Sequence, residues 1–204
     1  MAEREITPTH SAFLELREER SGMQEGYGFL DEKRLILAAE ILAELARYEQ
    51  MREGFRLLYT KAAAGLRAAL ARHGVEGLEI YPKAAVPCKE LRVESRSVLG
   101  VRVQAADWET GERETPPPAV GASPEADECR DSFVDLVLHA ARLAVHAGNL
   151  ERLRLEYSRT ARRARALEDV LLPEIDESLR LVEGALEEME REEAMRVRQV
   201  RSIT

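Results

Sequence analysis

The 204-residue sequence has few aromatic residues, no long hydrophobic run and only two cysteines. Phe, Trp and Tyr make up 5% of the chain and charged residues make up 33%, which favours thin, solvated helices over a thick globular core. No stretch approaches the roughly 20 apolar residues that a membrane span needs, and the N-terminus lacks the apolar region of a signal peptide. We therefore expect a soluble, cytoplasmic chain without direct membrane insertion.

The two cysteines, Cys88 and Cys129, belong to no CxxC motif and to no disulfide framework. This isolation fits a reducing compartment, where we expect both residues to pack as small apolar side chains. The formal net charge of -8 disfavours nucleic acid as a partner, because binding along a phosphate backbone needs a dominant basic face.

Apolar residues near the N-terminus recur at steps of three and four, which is the spacing of a coiled-coil seam. No proline lies between Pro8 and His73, and Gly74 is a natural helix end. The pattern predicts a helix over residues 8–73 that packs against one partner helix. The predicted seam consists of Leu16, Met23, Tyr27, Leu30, Leu37, Ile41, Leu45, Tyr48, Met51, Phe55, Leu58, Ala62, Leu66 and Ala69.

A second helix is predicted over residues 123–201, with Ser123 as its N-cap and Pro124 at its first helical position. Its seam matches the first in period and length, so the two helices can bury both seams by lying antiparallel within one chain. Pairing between two chains satisfies the same pattern. The second seam consists of Phe133, Leu136, Ala140, Leu143, Ala147, Leu150, Leu153, Tyr157, Thr160, Ala164, Leu167, Leu171, Ile175, Val182, Ala185, Met189, Val197 and Val200.

Residues 74–122 between the helices form a middle segment of different composition. Alternating β-branched residues predict two short strands, at residues 90–95 and 98–103, which form a β-hairpin around a turn. Residues 107–122, with prolines at positions 116 to 118, predict an exposed and partly disordered loop. The expected fold is mainly α: a long antiparallel two-helix coiled coil with a small middle segment that contains the hairpin.

Motifs for catalysis and ligand binding are missing from the sequence. There is no phosphate-binding loop, and Gly26 and Gly28 lack the third glycine and the preceding strand of a dinucleotide fingerprint. His139 and His146 share one predicted helix face, but no further Cys or His ligand accompanies them, so a helix surface is favoured over a metal site. We expect no catalytic, cofactor-binding or metal-binding residues and no cofactor.

Three features are unusual for a regular coiled coil. Pro173 lies inside the second seam and predicts a bend, which suits a tolerated kink and a functional one equally well. Gly22, Gly26 and Gly28 weaken the first helix, and either close packing or local flexibility would explain them. A basic stretch in the second helix is either a solvated face or a band that meets an acidic partner. This stretch contains Arg152, Arg154, Arg159, Arg162, Arg163 and Arg165.

Several stretches match one known family in order and spacing. The opening stretch contains Pro8, Thr9 and Gly26, followed by Lys33 and Arg34. Residues 160–175, 190–198 and 121–128 match motifs of the second helix, and residues 98–101 match a middle strand. Together they resemble the D subunit, the central stalk of V-type and archaeal-type (V/A) rotary ATPases, from about residue 6 to residue 201.

The resemblance implies a non-catalytic rotor shaft, peripheral to the membrane, in an enzyme that couples ATP to proton or sodium transport. The implied partners are the A and B subunits of the catalytic ring, the small F subunit of the stalk and the socket subunit of the membrane rotor. The sequence departs from the family at Ala161 and Arg165 in the basic motif and at Ala194 and Met195 near the end. A free-standing coiled-coil adaptor or chaperone-like helical hairpin is the alternative that periodicity alone allows.

Overall fold

The computed structural model describes residues 7–83, 88–110, 117 and 119–203. Two long helices pack together and a small two-stranded sheet lies between them in sequence, as predicted. The elements in chain order are α1 (His10–Glu79), β1 (Cys88–Val98), β2 (Val101–Thr110), α2 (Pro124–Ala166), a π-helical turn (Leu167–Leu171) and α3 (Leu172–Ile203).

Side-chain caps fix the starts of α1 and α2. The N–H of Ala12 donates to Thr9 Oγ1 at 3.1 Å, so Thr9 satisfies one of the free amides at the start of α1. The predicted cap of α2 is confirmed, because the N–H of Ala126 donates to Ser123 Oγ at 3.3 Å. Pro124 begins α2, where its missing N–H costs no hydrogen bond.

Gly74 interrupts α1 at the position where the sequence predicts the helix to end. Its φ of 67° and ψ of 179° are not helical, and glycine adopts a positive φ without a steric penalty. The chain then becomes helical again as far as Glu79. Gly74 is therefore a break within α1 rather than its end.

The predicted antiparallel hairpin is confirmed, but its turn lies elsewhere. Leu99 and Gly100 form the turn with φ values of 47° and 89°, and two positive values are what a two-residue type I′ turn requires. Both residues fall within 98–103, so this part of the predicted second strand was wrong. Arg96 and Ser97, where the turn was expected, instead pair with residues of β2.

The predicted loop over residues 107–122 was also too long at its start. Residues 107–110 continue β2, and Thr110 pairs with Cys88 at the far end of the hairpin. The extension is possible because β1 also continues in this direction and its residues 88 and 90–92 pair with residues 107–110. Residues 111–116 and 118, on which the expected disorder rests, lie outside the described part of the chain.

The contacts of the chain divide it into two compact units. The first, here called the terminal unit, comprises Met1–Ile36 and Tyr157–Thr204. Its helices run antiparallel, since Arg20 Nε lies 2.5 Å from Asp176 Oδ1 whereas His10, ten residues earlier, lies 4.0 Å from Glu190. Its apolar core comprises Leu16, Ile175 and Val182, flanked by Phe13, Met23, Leu179 and Leu186.

The second unit, Leu37–Glu156, is here called the central unit and contains the hairpin. Ala69, Ala126 and Cys129 form a core cluster between α1 and α2, and small residues at such positions let helices approach closely. A Cβ atom on Gly65 would lie 3.4 Å from the Cα of Cys129. Burial raises the pKa of the Cys129 thiol, in keeping with its expected apolar packing; the side chain of Cys88 lies outside the described part.

The predicted seams are largely correct, and they fail at particular positions of both units. Buried residues that were predicted include Leu37, Ala62 and Ala69 on α1 and Leu136, Leu153, Thr160 and Ala164 on α2. The predicted seam residues that are exposed are Leu45, Leu66, Phe133 and Ala147 in the central unit and Leu171, Met189 and Val197 in the terminal unit. In the central unit, the polar residues Glu44 and Asn149 are buried in the interface instead. The hydrophobic pattern could not indicate this, since buried polar groups depend on partners that are distant in sequence.

Candidate functional site

A buried polar cluster lies between α1 and α2 in the central unit. The side chain of Glu44 is 2% exposed and that of Asn149 is 1% exposed. Asn149 Nδ2 donates to Glu44 Oε1 at 3.0 Å, and His146 Nδ1 lies 2.8 Å from the same oxygen. Arg47 Nη1 donates to Glu44 Oε2 at 2.9 Å. Glu44 is therefore a buried carboxylate with three hydrogen-bonding partners.

These partners keep Glu44 ionised inside the protein. Desolvation raises the pKa of the Glu44 carboxyl, but the hydrogen bonds from Asn149, His146 and Arg47 lower it more, so that the pKa lies below its ordinary value. An ionised carboxylate only accepts hydrogen bonds, so His146 carries its hydrogen on Nδ1 in this arrangement. Without these partners a buried charge would strongly destabilise the helix pair.

Asn149 connects this cluster to the hairpin. Its Oδ1 accepts the backbone N–H of Gln104 at 2.8 Å, and its Nδ2 donates to the carbonyl oxygen of Gln104 at 2.6 Å. Arg152 donates to Asn149 Oδ1 at 2.8 Å and to the side-chain oxygen of Gln104 at 2.6 Å. The amide of Asn149 thus uses all of its donors and acceptors and pairs with β2 as a neighbouring strand would.

The two helical histidines both face α1, so the predicted helix-surface location was wrong. His146 contacts Glu44, and His139 Nε2 lies 2.7 Å from the carbonyl oxygen of Met51. A Cβ atom on Gly54 would lie 3.0 Å from the His139 ring, so the two helices approach closely here. Among the described residues, no group of three or more His, Cys, Asp or Glu side chains is placed to hold a metal ion.

In the terminal unit, a π-helical turn ends two residues before Pro173, where the sequence predicts a bend. The N–H of Leu172 bonds to the carbonyl oxygen of Leu167, five residues earlier, instead of the usual four. Proline has no N–H, and its ring would clash with the carbonyl of the preceding helical turn. The wider turn accommodates this conflict by inserting one residue into the helix, and such turns are frequent at functional sites.

Two residues of α1 face the π-helical turn. A Cβ atom on Gly26 would lie 4.0 Å from Leu167 Cδ1, which is an ordinary contact distance. Desolvation and the nearby carboxylate of Glu168 raise the pKa of Tyr27. Glu168 belongs to the turn, so Tyr27 lies close to the irregular part of the facing helix.

The neighbouring glycines have no such contact. Atoms added at Gly22 or Gly28 would meet nothing within 4 Å. Close packing therefore does not explain these two residues, and their main effect is to lower the helix propensity of α1 by about 1 kcal/mol each.

The predicted basic stretch divides into two parts. Arg152 is turned inward to the hairpin, and Arg154 pairs with Glu151 at 2.8 Å. The remaining four are exposed, and Arg162 donates to the carbonyl oxygen of Ser158 in its own helix. These four, here called the exposed arginine group, are Arg159, Arg162, Arg163 and Arg165.

None of the helices in the described part of the chain is sufficiently long and apolar to cross a membrane. Residues 12–202 match the family model of the ATP synthase D subunit. The chain is 26% identical to the V-type ATP synthase D subunit of Thermotoga neapolitana, over 96% of this chain and 97% of that protein. It is 28% identical to the A-type ATP synthase D subunit of Methanoregula boonei, over 99% of this chain and 98% of that protein. It is 27% identical to the A-type ATP synthase D subunit of Pyrococcus furiosus, over 97% of this chain and 94% of that protein.

Proposed function

The chain belongs to the family of ATP synthase D subunits, and from this membership we propose that it is the non-catalytic central stalk of a V/A-type rotary ATPase. In this role it transmits torque between the catalytic ring and the membrane rotor during ATP-coupled proton or sodium transport. The family match over residues 12–202 carries the proposal, and the paired helices give it a physical basis.

The proposed partners are the A and B subunits of the catalytic ring, the small F subunit of the stalk and the socket subunit of the membrane rotor. Residues 8–73 and 123–201 enter the ring, and residues 74–122 contact the other two partners. The protein is then a cytoplasmic component, held at the membrane through its complex. ATP is bound and hydrolysed by other chains.

Paired helices suit torque transmission because a single helix in water is only marginally stable. In the terminal unit, the contact of Leu16 with Ile175 and Val182 holds the two helices together, and the Arg20–Asp176 pair lies beside it. In the central unit the buried Glu44–Asn149 contact adds a polar interaction that fixes the register. Helices joined in this way resist twisting relative to each other.

A stalk must also present a different surface to each catalytic site as it turns. The π-helical turn and the exposed arginine group make the surface of the terminal unit uneven in shape and charge. Exposed ion pairs contribute only about 0 to 1 kcal/mol each, so they can break and re-form without trapping a rotor. The exposed arginine group therefore makes sliding electrostatic contacts with the ring.

Co-expression with candidate catalytic-ring and small stalk subunits, followed by size-exclusion chromatography, tests the proposal. We expect the chain to co-elute with both at one copy per ring. A chain that elutes alone while the other subunits assemble would favour the free-standing adaptor.

The contribution of the exposed arginine group is tested by changing Arg162, Arg163 and Arg165 together to Gln. We expect ATP turnover of the assembled complex to change and to lose part of its dependence on ionic strength. The matched control changes Arg154, Arg191 and Arg196 to Gln, since each of these is exposed but already pairs with a Glu of its own helix. Unchanged assembly and turnover across ionic strengths would rule out the sliding contacts.

A further inference from the structure

The described side chains of the hairpin, those of residues 93–105, have little apolar attachment to the helices. Within this range only Val101 and Val103 are buried. A two-stranded hairpin without a large apolar face is marginally stable by itself in water. Residues 93–105 therefore depend on the specific contacts that hold them to α1 and α2.

Those contacts are polar and lie on both strands. On the β2 side, Asn149 bonds to the backbone N–H and carbonyl of Gln104, and Arg152 bonds to the Gln104 side chain. On the β1 side, Arg96 makes two hydrogen bonds, of 2.9 and 3.4 Å, to the carboxylate of Glu40. The first set is half-buried and the second is exposed to solvent.

Between these contacts the hairpin and helices enclose a cleft instead of a packed core. The cleft has a volume of about 440 Å³ and is lined by charged and polar side chains together with a few apolar ones. Glu94 and Arg96 of β1 line one side, and Arg47 and Arg142 of the helices line the other. Among the described side chains of the hairpin, lifting it from this cleft exposes only two buried apolar ones, Val101 and Val103, whereas opening the helix pair would expose apolar cores.

We infer that residues 93–105 of the hairpin are a releasable element, held on the central unit by a polar clamp in which Asn149 pairs with the edge of β2. Glu44 and Arg152 orient the Asn149 amide from either side. When the clamp opens, residues 93–105 leave the helices together while α1 and α2 remain paired through their own core. This part of the hairpin can thus move to and from the helices without unfolding them.

Hydrogen–deuterium exchange of the full-length chain tests this inference. Asn149→Ala removes both bonds to the Gln104 backbone, and we expect amides of residues 93–105 to exchange about 10- to 100-fold faster. Amides of residues 45–60 in α1 and 130–145 in α2 should accelerate by a smaller factor, because the loss of the Asn149 bond to Glu44 weakens the helix pair but leaves its apolar contacts in place. Equal acceleration in hairpin and helices, or no change in the hairpin, would overturn the inference.

A second pair of variants keeps the test informative if Asn149→Ala does not fold. Arg152→Gln removes the contacts to the Gln104 side chain and to Asn149 Oδ1, and we expect the amides of residues 93–105 to exchange about 3- to 10-fold faster. Arg154→Gln is the matched control, because Arg154 lies two residues away on the same helix, is exposed and pairs with Glu151. Identical exchange in the two variants would contradict the inference, as would faster exchange in the helices of Arg152→Gln.

Discussion

The terminal and central units use the same pair of helices but hold them together by different means. In the terminal unit the interface is an apolar seam of Leu16, Ile175 and Val182, with ion pairs at its exposed margin. In the central unit a buried carboxylate, Glu44, and a buried amide, Asn149, lie between the helices.

The difference shows how strictly each kind of interface defines the register of the two helices. Apolar contacts are non-directional, so an apolar seam tolerates an inserted residue such as the one in the π-helical turn. A buried hydrogen-bond network tolerates no such shift, because every unpaired group costs about 1 to 3 kcal/mol. The central unit therefore has the more strictly defined register, and the terminal unit has the irregular surface that suits changing contacts.

The largest expected effect comes from removing the central carboxylate. Glu44→Ala leaves Asn149 and His146 without their buried acceptor, and we expect the free energy of unfolding to fall by about 3 kcal/mol. Urea denaturation followed by circular dichroism measures this change in the free energy of unfolding. The control Glu53→Ala removes an exposed carboxylate of the same helix, with an expected change within about 0.5 kcal/mol. Similar losses of unfolding free energy in the two variants would contradict the claim that buried Glu44 holds the central unit together.

Two glycine replacements should act in opposite directions. Gly22→Ala in the terminal unit adds a methyl group in open space and should stabilise the protein by about 1 kcal/mol through helix propensity. Gly54→Ala in the central unit places that atom 3.0 Å from the His139 ring and should destabilise it by about 1 kcal/mol net, since overpacking outweighs propensity. Thermal unfolding of both variants shows whether each change stabilises or destabilises the protein. A change in the same direction for both variants would contradict the difference in packing around Gly22 and Gly54.

Pro173→Ala tests the irregularity of the terminal unit. Removing the conflict with the preceding turn should raise helicity and stabilise the chain by roughly 1 kcal/mol, a gain limited because the π-helical turn already relieves the strain. In the reconstituted complex we expect the ratio of transported ions to hydrolysed ATP to change. An unaltered ratio would reduce Pro173 to a feature of packing alone.

The smallest expected effect is a pH dependence specific to the central unit. The folded-state pKa of Glu44 lies below the ordinary 4.5, so its stabilisation is fully present above that pH and is lost as the pH falls through the folded value. The difference in unfolding free energy between wild type and Glu44→Gln should be constant from about pH 7 to pH 5 and shrink below about pH 4.5. Comparing with Glu44→Gln cancels the effect of other carboxylates. A constant difference throughout would mean that Glu44 is not ionised in the folded protein.

The sequence predicts the two long helices, the Ser123 cap of α2 and most seam positions because these depend on local spacing and on single residues. It misses Glu44 and Asn149 because neither carries a local sign of burial; each is buried only because its partners come from another helix or from β2. The hairpin turn was misplaced for a related reason, since Leu99 adopts a positive φ that an isolated sequence would disfavour. The resemblance to the rotary ATPase family supplied what periodicity alone could not distinguish from a generic adaptor.

Rotation of the chain within an assembled complex is the most direct test of the central claim. A bead attached through Ala122→Cys, an exposed position before α2, would be observed by microscopy on a surface-held catalytic ring after ATP is added. Cys88 is replaced by Ser, and buried Cys129 remains. The stalk proposal predicts sustained rotation in one direction that stops when ATP is removed. A bead that only fluctuates about one angle, on rings that hydrolyse ATP and retain the chain, would contradict it.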